Sequence, residues 1–377
     1  MFSNNQAESN FIKSLYIENF RNHKSLEILA SKSSIVIHGK NGVGKTSILE
    51  ALSIFSNGKG LRNSKFLEMI KKDQEMFCVS ISIQGENKIL SELKSIYNKN
   101  TKSRQIYVNG KEKKNLKQLR QGFPMLWITP YDEKIFTGSA TSRRAFFDRL
   151  VANFDVSHNQ RINNYNKLLQ QRSKILKNSY KDISWLDAIE DQLSKLAVSI
   201  CSSRLDIIER LSGFLSMNIK GFPNLRIDFL ESIENNLYTE PAVRVEEKLK
   251  LKYLESREID LLLGGSVHGS HKTELLCYNL EKNMPADMCS SGEQKLLLVS
   301  IILSCAKALK KSFKISPIML LDEIFAHLDQ IKRSLLFKEL MSLGSQLWIT
   351  TTETDNFFKK YDNVYYYELK NLNIKNE

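Results

Sequence analysis

One segment of this chain, residues 39–46, constrains the fold more than any other. Its sequence, Gly-Lys-Asn-Gly-Val-Gly-Lys-Thr, is a complete G-x-x-x-x-G-K-[ST] phosphate-binding loop. An apolar run at residues 35–37 precedes it, and a helical pattern at residues 47–52 follows it. Because strand–loop–helix is the context in which this motif binds nucleotides, we predict a P-loop domain rather than a glycine-rich turn without a ligand.

The residues of this loop have predicted roles in holding a nucleoside triphosphate. Its glycines let the backbone turn tightly and approach an anion, and the N–H groups at the start of the helix face the phosphates. Lys45 is expected to reach the β- and γ-phosphates, and Thr46 to hold Mg²⁺. The predicted nucleotide-binding residues are Gly39, Lys40, Asn41, Gly42, Val43, Gly44, Lys45 and Thr46.

A second motif, late in the chain, supplies the carboxylates that nucleotide hydrolysis requires. Residues 318–323 read Ile-Met-Leu-Leu-Asp-Glu, in which four apolar residues are typical of a buried parallel strand. The carboxyl end of such a strand carries the ligand site in an open parallel sheet. We therefore predict that Asp322 holds Mg²⁺ and that Glu323 is the general base. A core strand with a capping Asp is the alternative.

The separation of these two motifs predicts an inserted segment. Asp322 lies 277 positions after Lys45, far more than a simple doubly wound domain needs. Apolar residues at helical spacing dominate residues 140–220, so the insertion is expected to be mostly helical. The predicted fold is α/β, with a P-loop head formed by residues 1–128 and 271–377 and a helical arm formed by residues 129–270.

A third motif, Ser290-Ser291-Gly292-Glu293-Gln294-Lys295, stands before a strongly apolar helix. A serine and free N–H groups at a helix start can bind an anion, and in ATPases of the ABC class this signature contacts the nucleotide of a second subunit. An ordinary N-cap is the alternative. The residues predicted to complete the site from a second copy are Ser290, Ser291, Gly292 and Asp329, the last in a segment resembling an ABC D-loop.

One departure from the ABC pattern argues against a transporter. Residues 346–352 form a predicted late strand that ends in threonines, where ABC transporters usually carry a His. No uncharged apolar run reaches 18 residues and no signal peptide is recognisable, so a cytoplasmic protein is expected. The five cysteines form no metal-binding pattern.

Charge indicates a polyanionic partner. The net charge of +13 favours nucleic acid, although a Lys-rich composition also follows from genome bias. Between Glu92 and Arg120, nine basic residues are offset by two acidic ones, which suits sequence-independent binding to phosphates. A solvated hairpin is the alternative, and the sequence predicts that this hairpin turns at Asn109-Gly110. The predicted DNA contacts are Lys59, Arg62, Lys111, Lys113 and Lys114.

The order of these and several shorter motifs resembles the RecF family of bacterial recombination-repair ATPases over nearly the whole chain. The shorter motifs include Leu-Tyr-Ile-Glu-Asn-Phe-Arg-Asn-His at residues 15–23 and Thr-Pro-Tyr-Asp at residues 129–132. Others are residues 58–62, 108–110 and 143–148, with Gln171, Arg172, Trp185, Arg204 and His271. One departure is Glu293, which adds a negative charge to the signature where the family commonly has Gln.

The resemblance implies an ABC-type ATPase head with a short helical arm. ATP would join two heads into a clamp on gapped DNA, and slow, DNA-stimulated hydrolysis would open it. The implied function is recombinational repair and replication restart, in which RecR and RecO act as partners and RecA is loaded. Two alternatives stay open: a DNA-binding recruitment module with incidental ATPase activity, and the ATPase head of another SMC-like repair complex.

Overall fold

The computed structural model describes residues 10–30, 34–56, 58, 60–85, 90–114, 122–177, 183–217, 219, 221–230, 232–326, 328–352 and 357–370. The strands in these residues are β1 Phe11–Phe20, β2 His23–Leu29, β3 Ser34–His38, β4 Met76–Gln84, β5 Leu90–Asn98, β6 Ser103–Val108, β7 Lys111–Glu112, β8 Met125–Ile128, β9 Leu225–Leu230, β10 Glu274–Asn279, β11 Met284–Pro285, β12 Ile318–Asp322, β13 Leu347–Thr351 and β14 Val364–Glu368.

The α-helices in these residues are α1 Lys45–Ser53, α2 Phe66–Met69, α3 Ala140–Phe154, α4 His158–Lys177, α5 Ile183–Leu215, α6 Ile233–Leu237, α7 Ala242–Glu255, α8 Arg257–Leu263, α9 Ser291–Phe313 and α10 Gln330–Ser342. The chain divides into two compact units. The first unit comprises the chain up to Glu133 and from Ile301 onward, and the second unit is Lys134–Ser300.

The first unit contains a five-stranded parallel sheet built from both halves of the chain. Its strand order is β14-β3-β13-β12-β8, and every neighbouring pair runs parallel. Strands β3, β12 and β13 are buried almost throughout, as expected for strands covered on both faces. Their carboxyl ends meet at one edge of the sheet, so the residues that follow them are brought together there.

An antiparallel sheet in the same unit covers this core. Its order is β2-β1-β4-β5-β6-β7, and the apolar side chains of β1 and β4 share one hydrophobic cluster with α1 and Trp348. The hairpin predicted at Asn109-Gly110 joins β6 to β7. These two residues have φ values of 49° and 76°, as a type I′ turn requires. Strand β7 stands last in the strand order, so among the described residues it is an edge strand.

The second unit is mostly helical and also contains a small antiparallel sheet in the order β11-β10-β9. Tyr165, Leu193 and Tyr253 belong to the core that α4, α5 and α7 share. None of the helices that the structure describes is long and apolar enough to cross a membrane. Residues 271–300 group with this unit, because β10 pairs with β9. The domain boundaries predicted at residues 128 and 270 stay a prediction.

Two buried arginines hold the helices of the second unit together. Arg172 lies 2.9 Å from Glu190 and 2.6 Å from Asp260. Arg204 lies 2.8 Å from Asp148 and also bonds Glu234. Burial would raise the pKa of Asp148, but Arg204 and His158 lower it to about 2. Because removing one partner would leave a buried charge uncompensated, these arginines are structural in this unit.

Candidate nucleotide-binding site

The phosphate-binding loop lies between β3 and α1, at the carboxyl edge of the parallel sheet. Gly42 and Gly44 have φ values of 84° and 102°, a region that residues with a Cβ rarely adopt. A Cβ atom on Gly44 would also lie 2.6 Å from Nε2 of His23. Glycine is therefore required at position 44 both by the backbone and by a neighbouring side chain.

Lys45 is folded over this loop. Its side chain is only 5% exposed, and its Nζ donates hydrogen bonds to the carbonyl oxygens of Gly39 at 2.8 Å and Lys40 at 3.0 Å. Burial lowers the pKa of Lys45, and the nearby carboxylates of Glu323 and Asp322 oppose that shift. The amine is thus placed where phosphate oxygens could replace the loop carbonyls as its partners.

Thr46 and Asp322, distant in sequence, meet at this edge of the sheet. The Thr46 Oγ1 atom lies 2.9 Å and 3.0 Å from the two carboxylate oxygens of Asp322. Hydroxyl and carboxylate oxygens are the ligands that Mg²⁺ prefers in nucleotide sites, so these two residues could hold that ion. They sit directly beside Lys45, where the phosphates of a nucleotide would lie.

Glu323 follows Asp322 in a strained backbone conformation. Its φ value is 51°, which is uncommon for a residue with a side chain and persists only where the surroundings fix it. The fixing contacts come from Thr350, whose carbonyl oxygen and Oγ1 lie 3.3 Å and 3.1 Å from the Glu323 backbone nitrogen. The Glu323 carboxylate is 35% exposed and lies 3.9 Å from Lys45 Nζ.

Thr350 is a residue of this site that motif searching does not find. It is buried at the end of β13, the neighbour of β12 in the parallel sheet. Its hydroxyl donates a 2.6 Å hydrogen bond to Oδ1 of Asp322 in addition to accepting one from Glu323. The signal available in the sequence was its place at the carboxyl end of a predicted strand, where ligand sites of parallel sheets lie.

The signature residues lie in the second unit and form the beginning of α9. Ser290 and Glu293 form a capping box, in which the Ser290 N–H donates to Glu293 Oε2 at 3.0 Å and the Glu293 N–H donates to Ser290 Oγ at 3.4 Å. Lys282 pairs with Glu293. The contacts from Lys282 and Ser290 lower the pKa of Glu293 to about 2. The capping alternative is thus present for Ser290, whereas Ser291 and Gly292 are exposed.

The last predicted nucleotide contact, Asp329, is the N-cap of α10. Its side chain accepts a 2.8 Å hydrogen bond from the backbone N–H of Lys332, and this bond lowers the pKa of Asp329. The contacts given above join four of the predicted site residues into one cluster: Lys45, Thr46, Asp322 and Glu323. None of the contacts in the described part of the chain joins this cluster to the other predicted residues, Ser290, Ser291, Gly292 and Asp329.

Behind the loop, the buried carboxylate of Glu50 on α1 binds two arginines. Arg21 donates to it from Nε at 2.8 Å and from a terminal nitrogen at 2.6 Å, and Arg62 approaches it at 3.3 Å. Arg62, a predicted DNA contact, is 35% exposed. The Arg62 guanidinium therefore partly neutralises the Glu50 carboxylate and is partly open to solvent.

The predicted DNA-binding lysines lie around the edge strand β7. Lys111, Lys113 and Lys114 are exposed there. Arg104, from the same basic stretch, instead donates to Ser95 Oγ at 2.8 Å and to the Ile54 carbonyl at 2.8 Å, which ties the sheet to the end of α1. The remaining predicted contact, Lys59, lies outside the described residues, as do Lys117 and Arg120 of the same stretch.

Similarity to known proteins identifies the family. Residues 11–375 match the family model of the RecF/RecN/SMC N terminal domain. The DNA replication and repair protein RecF of Rickettsia prowazekii is 37% identical over 353 residues, which cover 93% of this chain and 97% of that protein. The chain belongs to the RecF family. RecF of Rickettsia typhi is 36% identical, with the same shares of both chains covered.

Solved structures with this fold come from the same family and its relatives. The structure of the recombination mediator protein RecF-ATPrS in the RecFOR pathway has a TM-score of 0.84 at 23% identity, covering 97% of this chain and 98% of that one. An Smc head domain from Pyrococcus furiosus has a TM-score of 0.52 at 17% identity, covering 96% and 94%. The predicted α/β fold of an ABC-type ATPase head is thus confirmed.

Proposed function

We propose that the chain is an ATP-driven clamp on DNA that acts in recombinational repair and replication restart. The meeting of Lys45, Thr46, Asp322 and Glu323 at one edge of the parallel sheet carries this proposal. Relatives that share more than a third of its sequence are DNA replication and repair proteins. One similar solved structure is of RecF with ATP, which supports ATP as the nucleotide.

In this proposal each part of the cluster has one role in hydrolysing ATP to ADP and phosphate. Residues 39–46 surround the phosphates with backbone N–H groups, and Lys45 binds the β- and γ-phosphates. Thr46 and Asp322 hold Mg²⁺, which when bound would neutralise charge on the phosphate oxygens. Glu323 accepts a proton from the attacking water, and its partial exposure leaves room for that water.

A second copy of the chain completes the site in the proposed mechanism. Ser291 and Gly292 are exposed at the first turn of a long helix, where free N–H groups suit a γ-phosphate. Because Lys282 compensates the charge of Glu293, the signature does not present a net repulsion to that phosphate. Asp329 and Ser290 act as supporting residues of the same homodimer interface.

Closure of this homodimer holds DNA, and slow hydrolysis releases it. Lys111, Lys113 and Lys114 at the edge strand, with Lys59 and Arg62, bind backbone phosphates of the duplex next to a gap. The proposed protein partners are RecR and RecO, which together with this chain load RecA, and the proposed compartment is the cytoplasm. The RecFOR pathway of the similar solved structure supports this assignment of partners.

Two variants test the clamp. Glu323→Gln removes the base but keeps Lys45 for binding the phosphates and Thr46 for holding Mg²⁺. ATP should therefore trap this variant as a dimer on a gapped duplex. Lys45→Met should fail to bind ATP and stay monomeric. Analytical ultracentrifugation with ATP, with ADP and with the duplex measures both. A monomer under every condition would overturn the two-headed clamp, and normal partner loading by both variants would instead indicate a passive recruitment module.

A third variant tests the DNA surface. Changing Lys111, Lys113 and Lys114 to Glu should weaken duplex binding. The plot of log affinity against log salt concentration should become less steep, by the contribution of about three phosphate contacts. The same three positions changed to Arg keep the charge and serve as the control, which should bind as the wild type does. Unchanged affinity and slope in the Glu variant would remove these residues from the proposal.

A further inference from the structure

The second unit contains a cavity that the proposed nucleotide site does not use. Its volume is about 310 Å³, within the lower range of small-ligand pockets. Three segments line it: α6 with the residue before it, α7, and the segment that follows α8. The side chains that give it its chemistry are Asn235, Asn236, Lys252, His268 and Lys272.

Positive charge dominates this cavity. Neither Lys252 nor Lys272 forms an ion pair with another described residue, and no carboxylate is among the described lining residues. Among the acidic residues near the lining in sequence, Glu274 pairs with Arg143 and Glu255 is exposed. Glu234 and Asp260 are buried and pair with arginines of the same unit. Glu234 lies 3.1 Å from Arg204, and Asp260 lies 2.6 Å from Arg172. The two lysines therefore retain charge that an anion could neutralise.

Contacts with buried residues hold the wall formed by residues 266–272 in place. Gly269 has a φ value of 124°, and a Cβ atom there would collide with the hydroxyl of Tyr165. The N–H of Val267 donates a 2.8 Å hydrogen bond to the buried carboxylate of Asp260. A ligand that binds against such a wall does not have to order it first, which favours affinity.

His268 adds a neutral donor to this wall. Its backbone N–H is held by Ser266 Oγ at 3.3 Å, and its carbonyl accepts from the same hydroxyl at 3.0 Å. Burial lowers the pKa of His268, and the charge of Lys252 lowers it further. The imidazole is therefore neutral at pH 7 and offers one N–H.

We propose that this cavity binds a phosphate group, with Lys252 and Lys272 as its cationic partners and His268 and Asn236 as neutral donors. Donors that come from three separate segments suit the several oxygens of a phosphate better than the two of a carboxylate. The phosphate belongs either to a DNA backbone or to a free phosphorylated molecule, since both present the same oxygens. The proposal does not depend on the P-loop being an ATPase.

The test uses the full chain with Lys45→Met, so that the P-loop contributes little phosphate binding. Calorimetric titration with inorganic pyrophosphate should show binding that the double change Lys252→Ala and Lys272→Ala weakens about tenfold or more. Lys250→Ala is the control, because Lys250 lies on the same helix but pairs with Asp191 at 3.2 Å. That control should change the affinity less than about twofold.

A single-stranded oligonucleotide distinguishes the two sources of phosphate. Competition with pyrophosphate that depends on Lys252 and Lys272 would assign the cavity to the DNA backbone, and pyrophosphate binding without competition would assign it to a free molecule. No pyrophosphate binding at millimolar concentration, or equal affinity in the double variant and the control, would overturn the proposal. Thermal unfolding of each variant confirms that the change in binding is not a loss of folding.

Discussion

Thr350 Oγ1 lies 2.6 Å from Oδ1 of Asp322 and 3.1 Å from the backbone nitrogen of Glu323. One hydroxyl on β13 thus binds both carboxylate residues at the end of β12. This hydrogen bond fixes the orientation of the Asp322 carboxylate, whose oxygens could bind a cation. The threonine that replaces the histidine of ABC transporters is therefore placed to position the carboxylates.

Replacing this hydroxyl should slow hydrolysis more than it weakens ATP binding. Thr350→Val keeps the shape but removes the hydroxyl bond to Asp322 Oδ1 and leaves the Glu323 N–H only the longer bond to the Thr350 carbonyl, at a cost of about 1.5–3 kcal/mol. We expect kcat to fall about tenfold or more, with a smaller change in the Kd for ATP. Thr350→Ser keeps the hydroxyl and should behave as wild type. A Val variant with wild-type kcat would contradict this role.

Gly44→Ala should destabilise the head and abolish ATP binding. The left-handed φ of 102° and the 2.6 Å approach of a Cβ to His23 both oppose it, so we expect a loss of about 1–3 kcal/mol in the free energy of unfolding. Adding His23→Ala relieves the steric contact but not the backbone strain, and should recover part of the loss. Gly292→Ala, where a Cβ meets open space, is the control for thermal unfolding.

Neighbouring serines of the signature should respond differently to truncation. Ser290→Ala removes the N-cap and should lower stability by about 1 kcal/mol, visible in thermal unfolding. Ser291→Ala should leave the unfolding temperature unchanged but weaken ATP-dependent dimerisation, measured by sedimentation. If the Ser291 variant dimerises as the wild type does, the exposed serine is not a nucleotide contact.

His271 should make the second unit sensitive to acid. Its ring lies between the Tyr165 hydroxyl at 2.9 Å and the Ser266 carbonyl at 3.0 Å, and burial lowers its pKa from 6.5 to about 4. Since the unfolded chain takes up the proton first as the pH falls below 6.5, the folded unit loses stability between pH 6.5 and 4.

We expect this histidine to contribute about 2 kcal/mol to the loss of stability by pH 4.5. His271→Gln, which cannot titrate, should lack that part of the pH dependence. Denaturant unfolding of wild type and variant at neutral and acidic pH measures the contribution as a double difference. The same difference between the two proteins at both pH values would contradict the assignment.

Features that depend on residues close together in the chain could be predicted from the sequence. The loop between β3 and α1 is a contiguous motif, and the turn at Asn109-Gly110 needs only two residues with positive φ. Asp322 could be placed at the same sheet edge as Thr46 because the carboxyl ends of parallel strands coincide.

Contacts that tertiary packing decides could not be predicted in this way. Arg104 resembles its lysine neighbours in the basic stretch, yet it bonds Ser95 and the end of α1. Arg62 was predicted as a DNA contact with no sign that the buried Glu50 would bind it. Both outcomes depend on which polar groups folding leaves beneath the surface, and no local pattern of residue types encodes that.

The position of β3 between β13 and β14 has a consequence for biosynthesis. At about 5–20 residues per second, a ribosome needs on the order of 15–60 s to add the roughly 300 residues that separate β3 from β13. Throughout that time β3, the apolar strand before the phosphate-binding loop, lacks both of its partner strands, β13 and β14. It can then pair with a wrong strand or be bound by a chaperone. The helical unit is translated complete within the interval and can fold first. In the newborn chain, the nucleotide pocket is therefore the last region to mature.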